Sequence, residues 1–356
     1  MYKASLLALA ACLVGFVSQV PVALGEDPNT PPTPNPPARQ RFPPGGQNDP
    51  NAVGPLIGPW LHLPDLPESK EQFGFEACEG KLYAVAGIHN GEETDSSFVY
   101  NTNSGQWQPI APLPRAVQSI CLRAVKGRLF SFGGYHHRYA IKHSDVWLYD
   151  PVADAWLPRS PMPVAREDAG SGVVNGQVWI VGGLTNPGHE LVARIDVYDP
   201  DLDAWVMSFA IKPHDGDWPG RALGDFACAA DGAIWCLAGT ETTEGYPFLR
   251  PEPLGFFATE TDIGYVPIPD PRCYAELEVI GGDLFVVGGC RTSTWDYADT
   301  MLILDLQTQT WKEPVLLPYG ARGQGVCSWN GALYLAGGYD GRTRDDFCMW
   351  MDDDAK

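Results

Sequence analysis

Residues 166–205 read REDAGSGVVNGQVWIVGGLTNPGHELVARIDVYDPDLDAW, and this stretch decides the fold. It contains short apolar runs separated by turn residues, which is typical of β-strands. Asn175-Gly176 lies between the first two runs and is a strong signal for a two-residue hairpin, because both positions of that turn need positive φ. The stretch therefore predicts four consecutive strands that form one sheet.

The same pattern recurs along the chain, and each repeat contains a pair of small residues that ends in glycine. The pairs are Ala86-Gly87, Gly133-Gly134, Gly182-Gly183, Ala238-Gly239, Gly288-Gly289 and Gly337-Gly338, and their second glycines are 47, 49, 56, 50 and 49 residues apart. A tryptophan follows four of these pairs at a distance of 20 or 22 residues. A period near fifty predicts a repeat architecture. A single sheet exposes two apolar faces, and a ring of six sheets covers both.

Four motifs show which repeat type this is. They are FSFGGY at 130–135, WLYDPVADAW at 147–156, DVYDPDLDAW at 196–205 and LYLAGGYDG at 333–341. The chain resembles the kelch family of β-propellers in these motifs. The resemblance implies an all-β fold, a six-bladed kelch propeller with four-stranded antiparallel blades. Because the sixth repeat lacks a fourth strand, we expect an N-terminal strand around Trp60 to join the C-terminal blade and close the ring.

The sequence also divides the chain into segments. Lys3, the apolar stretch after it and Ala23-Leu24-Gly25 predict a signal peptide over residues 1–25. The composition further predicts a Pro-rich linker over 26–57, the propeller over 58–352 and an acidic tail over 353–356. The protein is then secreted, or periplasmic or extracellular. As an alternative, Leu9-Ala10-Ala11-Cys12 resembles the cleavage box of bacterial lipoproteins, which would leave a lipid anchor on Cys12.

Charge and composition limit the partners. The chain has 24 Lys and Arg against 44 Asp and Glu, and the net charge of −20 disfavours nucleic acid and anionic membranes as partners. Beyond the leader, no stretch has the roughly 18 apolar residues of a membrane span. We expect a monomer without a cofactor. Eight cysteines besides Cys12 permit disulfides in an exported chain, and we expect between zero and two bridges whose pairing the sequence does not reveal.

The sharpest functional pattern is a cation near the start of each repeat. These cations are Lys70, Arg115, Arg166, Arg221, Arg272 and Arg322, and the arginines are 51, 55, 51 and 50 residues apart. Because the first strand of a propeller blade is innermost, we predict that these side chains ring one mouth of the central channel. Arginine forks suit carboxylate, sulfate or phosphate groups. The cations are therefore candidate ligand-binding residues.

Strand parity separates these cations further. Residues an even number apart share one face of a strand. This predicts three internal ion pairs, Arg166 with Asp168, Arg221 with Asp225, and Arg272 with Glu276. Arg115 and Arg322 have no acid on their own strands, so the positive charge without a partner is expected around them.

We hypothesise an exported binding module whose Arg-lined mouth captures a protein segment with Asp or Glu, or an acidic glycan. The kelch resemblance supports this, because in kelch-like ubiquitin-ligase adaptors the arginine that opens this strand often lines the pocket for acidic peptides. The alternative for each cation is a purely structural ion pair.

Two other function classes remain open. Exported kelch propellers include N-acetylneuraminate epimerase, a mutarotase that acts on an acidic sugar, and secreted galactose oxidase shares the repeat type and uses copper. The resemblance to both enzymes is at the level of the fold, and no catalytic residue can be matched. The third class is a scaffold that binds partners through its loops, of which residues 240–253 are predicted to be the longest between strands and a candidate specificity loop.

Two sequence patterns contain residue types that bind metals. The histidines of the loops, His89, His136, His137, His143 and His189, match no established metal motif. Asp199, Asp201 and Asp203 alternate as in a calcium loop but lack its downstream Gly and Glu. We predict no metal site.

Overall fold

The structure is a computed structural model and describes residues 60–186, 190–210, 227–230, 233–236, 240–243, 246–249, 254–257, 263–291 and 296–351. The predicted signal peptide, linker and acidic tail lie outside these residues, as do Arg221 and His189.

Two-residue turns with positive φ join the first and second strands of the repeats. Asn175 and Gly176 have φ of 50° and 75°, which confirms the predicted hairpin turn. The same conformation occurs at Glu79-Gly80, Lys126-Gly127, Gly281-Gly282 and Asn330-Gly331. Glycine stands second in all of these turns because it adopts positive φ without steric cost.

The strands of the first half of the chain follow the repeats. The strand before the first repeat is β1 (Trp60–Leu63). The first repeat contains β2 (Gly74–Cys78), β3 (Lys81–Val85), β4 (Ile88–His89), β5 (Glu92–Glu93), β6 (Ser97–Asn101) and β7 (Gln106–Ile110). The second contains β8 (Cys121–Val125), β9 (Arg128–Phe132), β10 (Tyr135–His136), the 3₁₀ turn η1 (His137–Tyr139), β11 (Ile141–Lys142), β12 (Val146–Asp150) and β13 (Ala155–Arg159). The third contains β14 (Gly170–Val174), β15 (Gln177–Val181), β16 (Leu184–Thr185), β17 (Glu190–Leu191), β18 (Arg194–Asp199) and β19 (Ala204–Ala210).

The second half continues in the same way. The fourth repeat contains β20 (Ala227–Ala230), β21 (Ala233–Cys236), β22 (Thr240–Thr243), β23 (Tyr246–Leu249), β24 (Leu254–Phe257) and β25 (Ile263–Val266). The fifth contains β26 (Arg272–Cys273), β27 (Glu276–Ile280), β28 (Asp283–Val287), β29 (Cys290–Arg291), β30 (Thr300–Asp305), β31 (Thr310–Trp311) and β32 (Val315–Leu316). The sixth contains β33 (Gly325–Trp329), β34 (Ala332–Ala336) and β35 (Phe347–Met351).

Each repeat builds one antiparallel sheet, which we call a blade and number with its repeat. The four-stranded sheets are β2-β3-β6-β7, β8-β9-β12-β13, β14-β15-β18-β19, β20-β21-β24-β25 and β33-β34-β35-β1. Blade 5 follows the path β27-β28-β30-β31 and has a fifth, short strand, β32, which also pairs with β30. The predicted all-β propeller with four-stranded antiparallel blades is therefore confirmed, with the extra strand of blade 5 as a departure. Among the described residues no helix is long and apolar enough to cross a membrane.

The N-terminal strand closes the ring. β1 pairs antiparallel with β35, and Trp60 lies opposite Trp350, as predicted. The first strands of the blades contact one another in the order β2, β8, β14, β20, β27 and β33, and β33 contacts β2 again. The two ends of the propeller are thus joined by backbone hydrogen bonds within one sheet.

Glycine pairs allow neighbouring blades to approach closely. A Cβ atom on Gly337 would lie 2.4 Å from the carbonyl oxygen of Lys70, and one on Gly133 would lie 2.6 Å from that of Arg166. Both glycines also have positive φ, of 61° and 66°. The glycine pairs recur because each blade packs its backbone against the end of the preceding second strand.

The tryptophans of the fourth strands link blades 1, 2, 3, 5 and 6 to the blade before each of them. In blades 1, 2, 3 and 5 the indole N–H donates to a carbonyl oxygen just after the preceding blade, and in blade 6 it donates to the last residue of β32 in blade 5. The bonds run from Trp107 to Pro64 (2.9 Å), Trp156 to Ala111 (2.9 Å), Trp205 to Ser160 (3.1 Å), Trp311 to Pro267 (2.7 Å) and Trp60 to Leu316 (2.8 Å). Trp60 therefore fills the same structural position as the tryptophans of the repeat.

Short hairpins follow the second strands of several blades. They pair β4 with β5, β10 with β11, β16 with β17, and β22 with β23. The last hairpin lies within residues 240–253, which the sequence predicted as a long loop. That prediction is corrected, because Thr240 pairs with Leu249 and Thr243 with Tyr246 in a regular antiparallel register.

Trp60 gives a direct test of ring closure. It is 2% exposed, so we expect Trp60→Ala to lower the free energy of unfolding by about 3–5 kcal/mol. Trp60→Phe keeps most of the aromatic side chain but leaves the Leu316 carbonyl without its donor. For this variant we expect the free energy of unfolding to fall by about 1–3 kcal/mol. Urea denaturation measures both values. Trp329 lies in the same blade and is 36% exposed, so Trp329→Ala is the matched control. Equal losses at Trp60 and Trp329 would contradict the closure argument.

Candidate functional site

One end of the channel is built from the same backbone geometry in repeats 1, 2, 3, 5 and 6. Just before each first strand, one residue pairs with the residue that follows the glycine pair. These pairs are Glu71 with Ile88, Gln118 with Tyr135, Glu167 with Leu184, Cys273 with Cys290, and Arg322 with Tyr339. We call this end the channel mouth, and we call Glu71, Gln118, Glu167, Cys273 and Arg322 its rim residues.

The residue after each rim residue has a left-handed backbone. These inner residues are Gln72, Ser119, Asp168, Tyr274 and Gly323, with φ between 49° and 57°. Their backbone groups link blades around the mouth, because the N–H of Gln72 donates to the Gly323 carbonyl and that of Ser119 to the Gln72 carbonyl, each at 2.8 Å. The conformation is explained by this bonding, since non-glycine residues adopt positive φ only where the surrounding structure compensates the strain.

Below the mouth lies a cavity that opens to solvent. It is lined by all five inner residues and by residues of the first strands. Its charged lining residues are Arg123, Asp168 and Glu276, and its other polar side chains are Gln72, Ser119, Ser171 and Tyr274. The cavity therefore presents charged and polar side chains from several blades to whatever enters the mouth.

Carboxyl groups dominate the wall of the channel. Arg123 pairs with Glu76 at 2.9 Å and donates to the Ser171 carbonyl at 3.0 Å. Glu278 accepts a hydrogen bond from Ser328 at 2.8 Å. Burial raises the pKa of Glu276 to about 8 and that of Glu278 to about 7. The Glu276 and Glu278 carboxyl groups are therefore expected to keep protons near neutral pH. An anion that enters the channel meets one arginine beside three glutamates.

Glu276 makes stability depend on pH. A carboxyl whose pKa is higher in the folded state, here about 8 against an ordinary 4.5, contributes stability that is present below about pH 4.5 and is lost as the pH rises towards 8. We therefore expect Glu276→Gln to flatten the decline of the free energy of unfolding between pH 5 and 8, measured by urea denaturation at several pH values. Exposed Glu313 is the control, and Glu313→Gln should keep the wild-type slope. A wild-type slope in Glu276→Gln would contradict the assignment.

The predicted cations do not occupy equivalent positions. Lys70, Arg166 and Arg272 do correspond, because each donates to the carbonyl of the first residue of its glycine pair, 16 residues later. Their side chains are buried, with 0%, 2% and 2% exposure for the residues. This corrects the prediction that they line the mouth, since buried cations are held inside the blades.

The internal partners of these cations also differ from the predicted ones. Arg166 pairs with Asp196 rather than Asp168, and Arg272 pairs at 2.5 Å with Asp270 rather than Glu276. Lys70 pairs with Glu68 at 3.1 Å. The parity argument failed because the partners lie on the third strand or in the preceding linker. The predicted pair of Arg221 with Asp225 lies outside the described residues.

Arg115 and Arg322 lie at two further positions. Arg115 is in the linker before blade 2, is half exposed and forms a surface ion pair with Asp145. Arg322 is a rim residue, and its guanidinium lies 5.7 Å from the Tyr274 ring centre and 5.3 Å from that of Tyr339. In blade 6 the carbonyl of Gly337 accepts its hydrogen bond from Tyr319 at 2.9 Å instead of from a cation.

The number of residues from each cation to the glycine pair of its repeat distinguishes these positions in the sequence. Lys70, Arg166 and Arg272 precede the first residue of their glycine pair by 16 residues. Arg115 precedes Gly133 by 18 residues and Arg322 precedes Gly337 by 15. Spacing between successive arginines hides this difference, because the repeats themselves vary in length.

The two kinds of arginine differ in their effect on stability. Removing Arg166 breaks a buried ion pair, and because Arg194 also contacts Asp196 at 2.6 Å, we expect Arg166→Ala to lower the free energy of unfolding by about 3 kcal/mol, the low end for such pairs. Arg115→Ala removes an exposed pair and should change it by less than about 1 kcal/mol. Thermal or urea unfolding measures both. Similar values for the two variants would overturn the distinction.

A lysine–glutamate pair lies at the mouth. Lys142 is 3.3 Å from the Glu167 carboxylate, both side chains being almost fully buried, and its ammonium lies 5.0 Å from the Tyr135 ring centre. Burial nevertheless raises the pKa of Glu167 to about 8. This part of the mouth is therefore occupied by an internal pair, unlike the part around Arg322.

The patterns considered for metals have structural explanations. His89 contacts the Ser69 carbonyl through Nδ1 at 2.9 Å, and His136 and His143 lie 3.7 and 3.8 Å from single carboxylates. Asp199 accepts hydrogen bonds from the backbone of Asp201 and Leu202, so the aspartates form a turn. Within the described ranges no group of three or more His, Cys, Asp or Glu residues is placed to hold a metal ion.

Comparison with known proteins agrees with this architecture. The Kelch motif family matches residues 71–114, 120–163, 165–207 and 271–314, which fall on blades 1, 2, 3 and 5. The chain belongs to the kelch-repeat β-propellers. Its similarity to curated kelch proteins is limited to short segments. It is 33% identical to Kelch-like protein 40a of Danio rerio over 88 residues and to Kelch-like protein 41 of Mus musculus over 86 residues, in each case 24% of this chain and 14% of the relative.

The kelch propeller is also similar to a solved structure. The structure titled "Structure of YjhT" superposes with a TM-score of 0.66 at 16% identity, and the match covers 83% of this chain and 98% of that one. At this identity the likeness shows the fold alone.

Several residues of the mouth were missed by the sequence reasoning. Glu276 and Glu278 were visible as alternating acids, but such pairs are common in sequences. Arg123 does not recur in the repeat, and Tyr274 and Tyr339 come from different blades. The signal that was available is that Arg123, Glu276 and Glu278 all fall in first strands, which are innermost in a propeller.

Proposed function

We propose that the six repeats form one six-bladed ring that serves as a binding module, and that the channel mouth holds an acidic segment of a partner protein through Arg322. The observation that carries this proposal is the state of the Arg322 guanidinium. It is half-buried between Tyr274 and Tyr339, and within the part of the chain that the structure describes it forms no ion pair. Lys70, Arg115, Arg166 and Arg272 all have carboxylate partners.

The two tyrosines give this arginine its binding properties. Contact with aromatic faces stabilises a guanidinium and shields it from water, while its edge stays available for hydrogen bonds. A carboxylate is the natural ligand for that edge, because two parallel N–H···O bonds fit its geometry. Glu71, the nearby rim residue, forms no ion pair with Arg322 among the described residues, and burial raises its pKa although the charge of Arg322 acts to lower it.

The electrostatics of the channel indicate how deep the ligand reaches. Glu76, Glu276 and Glu278 lie along the inner strands, with Arg123 as the cation among them. Because Arg123 is already paired with Glu76 and Arg322 has no ion-pair partner among the described residues, an anionic group is favoured at the rim over the interior. We propose that the acidic side chain stays at Arg322 and that neutral parts of the ligand cover the cavity.

The hairpin of blade 2 supports a protein as the ligand. Tyr139 and Ile141 are 63% and 46% exposed, and His137 and Arg138 lie beside them. The hairpin is held to its neighbours, because Glu93 accepts a hydrogen bond from the His137 backbone at 2.8 Å and Asn186 donates to the Lys142 carbonyl at 3.1 Å. A fixed tip with aromatic, apolar and cationic side chains is typical of protein interfaces. The export of the protein belongs to the same proposal, on the basis of residues 1–25.

Arg322 provides the test of this function. We expect Arg322→Ala to reduce binding on an array of acidic peptides at least tenfold, because the charge-assisted hydrogen bonds to the ligand are lost. Arg322→Lys should recover only part of the binding, since it keeps the charge but not the planar fork. Arg342 lies in the same blade and is exposed, so Arg342→Ala is the control and should bind as the wild type does.

The same array, extended with acidic glycans, distinguishes the alternatives. Binding of acidic glycans without binding of peptides would replace the protein ligand by a sugar and favour the sugar-modifying enzyme. Wild-type binding by Arg322→Ala would refute the assignment of the site. If no peptide or glycan binds, the scaffold hypothesis gains support.

A further inference from the structure

Two cysteines face each other at the channel mouth. β26 and β29 pair antiparallel with Cys273 directly opposite Cys290. Directly opposed residues of an antiparallel ladder have Cα atoms about 4.5–5.5 Å apart, and a disulfide spans about 4.4–6.8 Å between Cα atoms. The two thiols are already in contact, since their side chains share a hydrogen bond. The backbone therefore holds this pair at disulfide distance without rearrangement.

The other cysteines that the structure describes do not face a second cysteine. Cys78 lies opposite Lys81 and Cys121 opposite Phe132. In blade 6, Cys327 lies opposite Tyr334 and Cys348 opposite Leu335. Opposed cysteines in a strand pair thus occur at one place in the described part of the propeller.

The chemistry of Cys290 differs from that of the other cysteines as well. The hydrogen bond with Cys273 and the charge of Arg322 lower the pKa of Cys290. Burial raises the pKa of Cys78, Cys121, Cys327 and Cys348. Because the thiolate is the reactive form, Cys290 is the sulfur of this set best suited to start thiol–disulfide exchange.

We infer that Cys273 and Cys290 form an intramolecular disulfide when the protein meets an oxidising disulfide such as glutathione disulfide. The Cys290 thiolate attacks one sulfur of glutathione disulfide, forms a mixed disulfide and displaces one glutathione thiolate. Cys273 then loses its proton and attacks the Cys290 sulfur, which displaces the second glutathione thiolate. Two protein thiols are oxidised to one disulfide, and one glutathione disulfide is reduced to two glutathione molecules.

The surrounding charges show what such a bond would hold together. The next residues of the two strands, Arg272 and Arg291, also lie opposite each other. Asp270 bridges the two guanidinium groups, at 2.5 Å and 3.0 Å. Two like charges thus face each other beside the cysteines, where Asp270 bridges them and Asp299 also contacts Arg291 at 2.8 Å. A disulfide would fix this strand pair whether or not Asp270 is ionised, and the inference does not depend on what the mouth binds.

Peptide mapping of the full chain tests the inference. The protein is incubated in glutathione redox buffers until the result is the same from oxidised and reduced starting material, then unfolded in acid, alkylated and digested. We expect a cross-linked peptide pair that contains Cys273 and Cys290. Cys327 and Cys348 are the matched internal control, because they are equally buried but not opposed, and they should be recovered alkylated.

Variants extend the test. In Cys273→Ser the resolving thiol is missing, so Cys290 should be recovered alkylated or as a mixed disulfide with glutathione and never cross-linked. On oxidation the urea midpoint of the wild type should rise, and this rise should be absent in Cys273→Ser. Recovery of both wild-type cysteines in alkylated form across all oxidising buffers, or a cross-link of either one to another cysteine, would overturn the inference.

Discussion

The hydrogen bond from a tryptophan indole to the carbonyl that follows the preceding blade is the interaction on which the ring depends. Sheets that pack face to face through apolar side chains attract one another without a preferred orientation. The indole bond adds a direction, because it ties the outer strand of one blade to a fixed backbone oxygen at the end of the preceding blade. Trp107, Trp156, Trp205 and Trp311 make this bond across 43 to 45 residues. Trp60 makes it across 256 residues, so the closure repeats a local rule between the two ends of the propeller.

The features that the sequence predicted correctly are those set by local chemistry. The Asn175-Gly176 turn follows from the φ values that only a few residues adopt easily. The fourth strand around Trp60 follows from a missing strand at one end of the repeat and a spare one at the other. In each case the residues concerned and their structural consequence lie close together in the chain, or follow from counting strands.

The features that it missed depend on contacts between distant residues. The partner of Arg166 is Asp196, 30 residues later and on another strand, and strand parity does not reach that far. Cys273 and Cys290 were visible as two of eight cysteines, but only the pairing of β26 with β29 puts them opposite each other. The acidic wall of the channel brings Glu76 of blade 1 together with Glu278 of blade 5, and the charges of both carboxyl groups act to raise the pKa of Arg123. Such a cluster has no single spacing that a sequence pattern could reveal.

The mouth combines a repeated backbone with side chains that do not repeat. The pairing of each rim residue with the residue after its glycine pair recurs, so each described rim residue occupies the same place in its own blade. At that place the chain has a buried carboxyl, an amide, a lysine-paired carboxyl, a thiol and an arginine. These residues are Glu71, Gln118, Glu167, Cys273 and Arg322. Among the described rim positions the symmetry of the fold is therefore broken by side-chain chemistry, and in the blade 6 sector an arginine stands between two tyrosines.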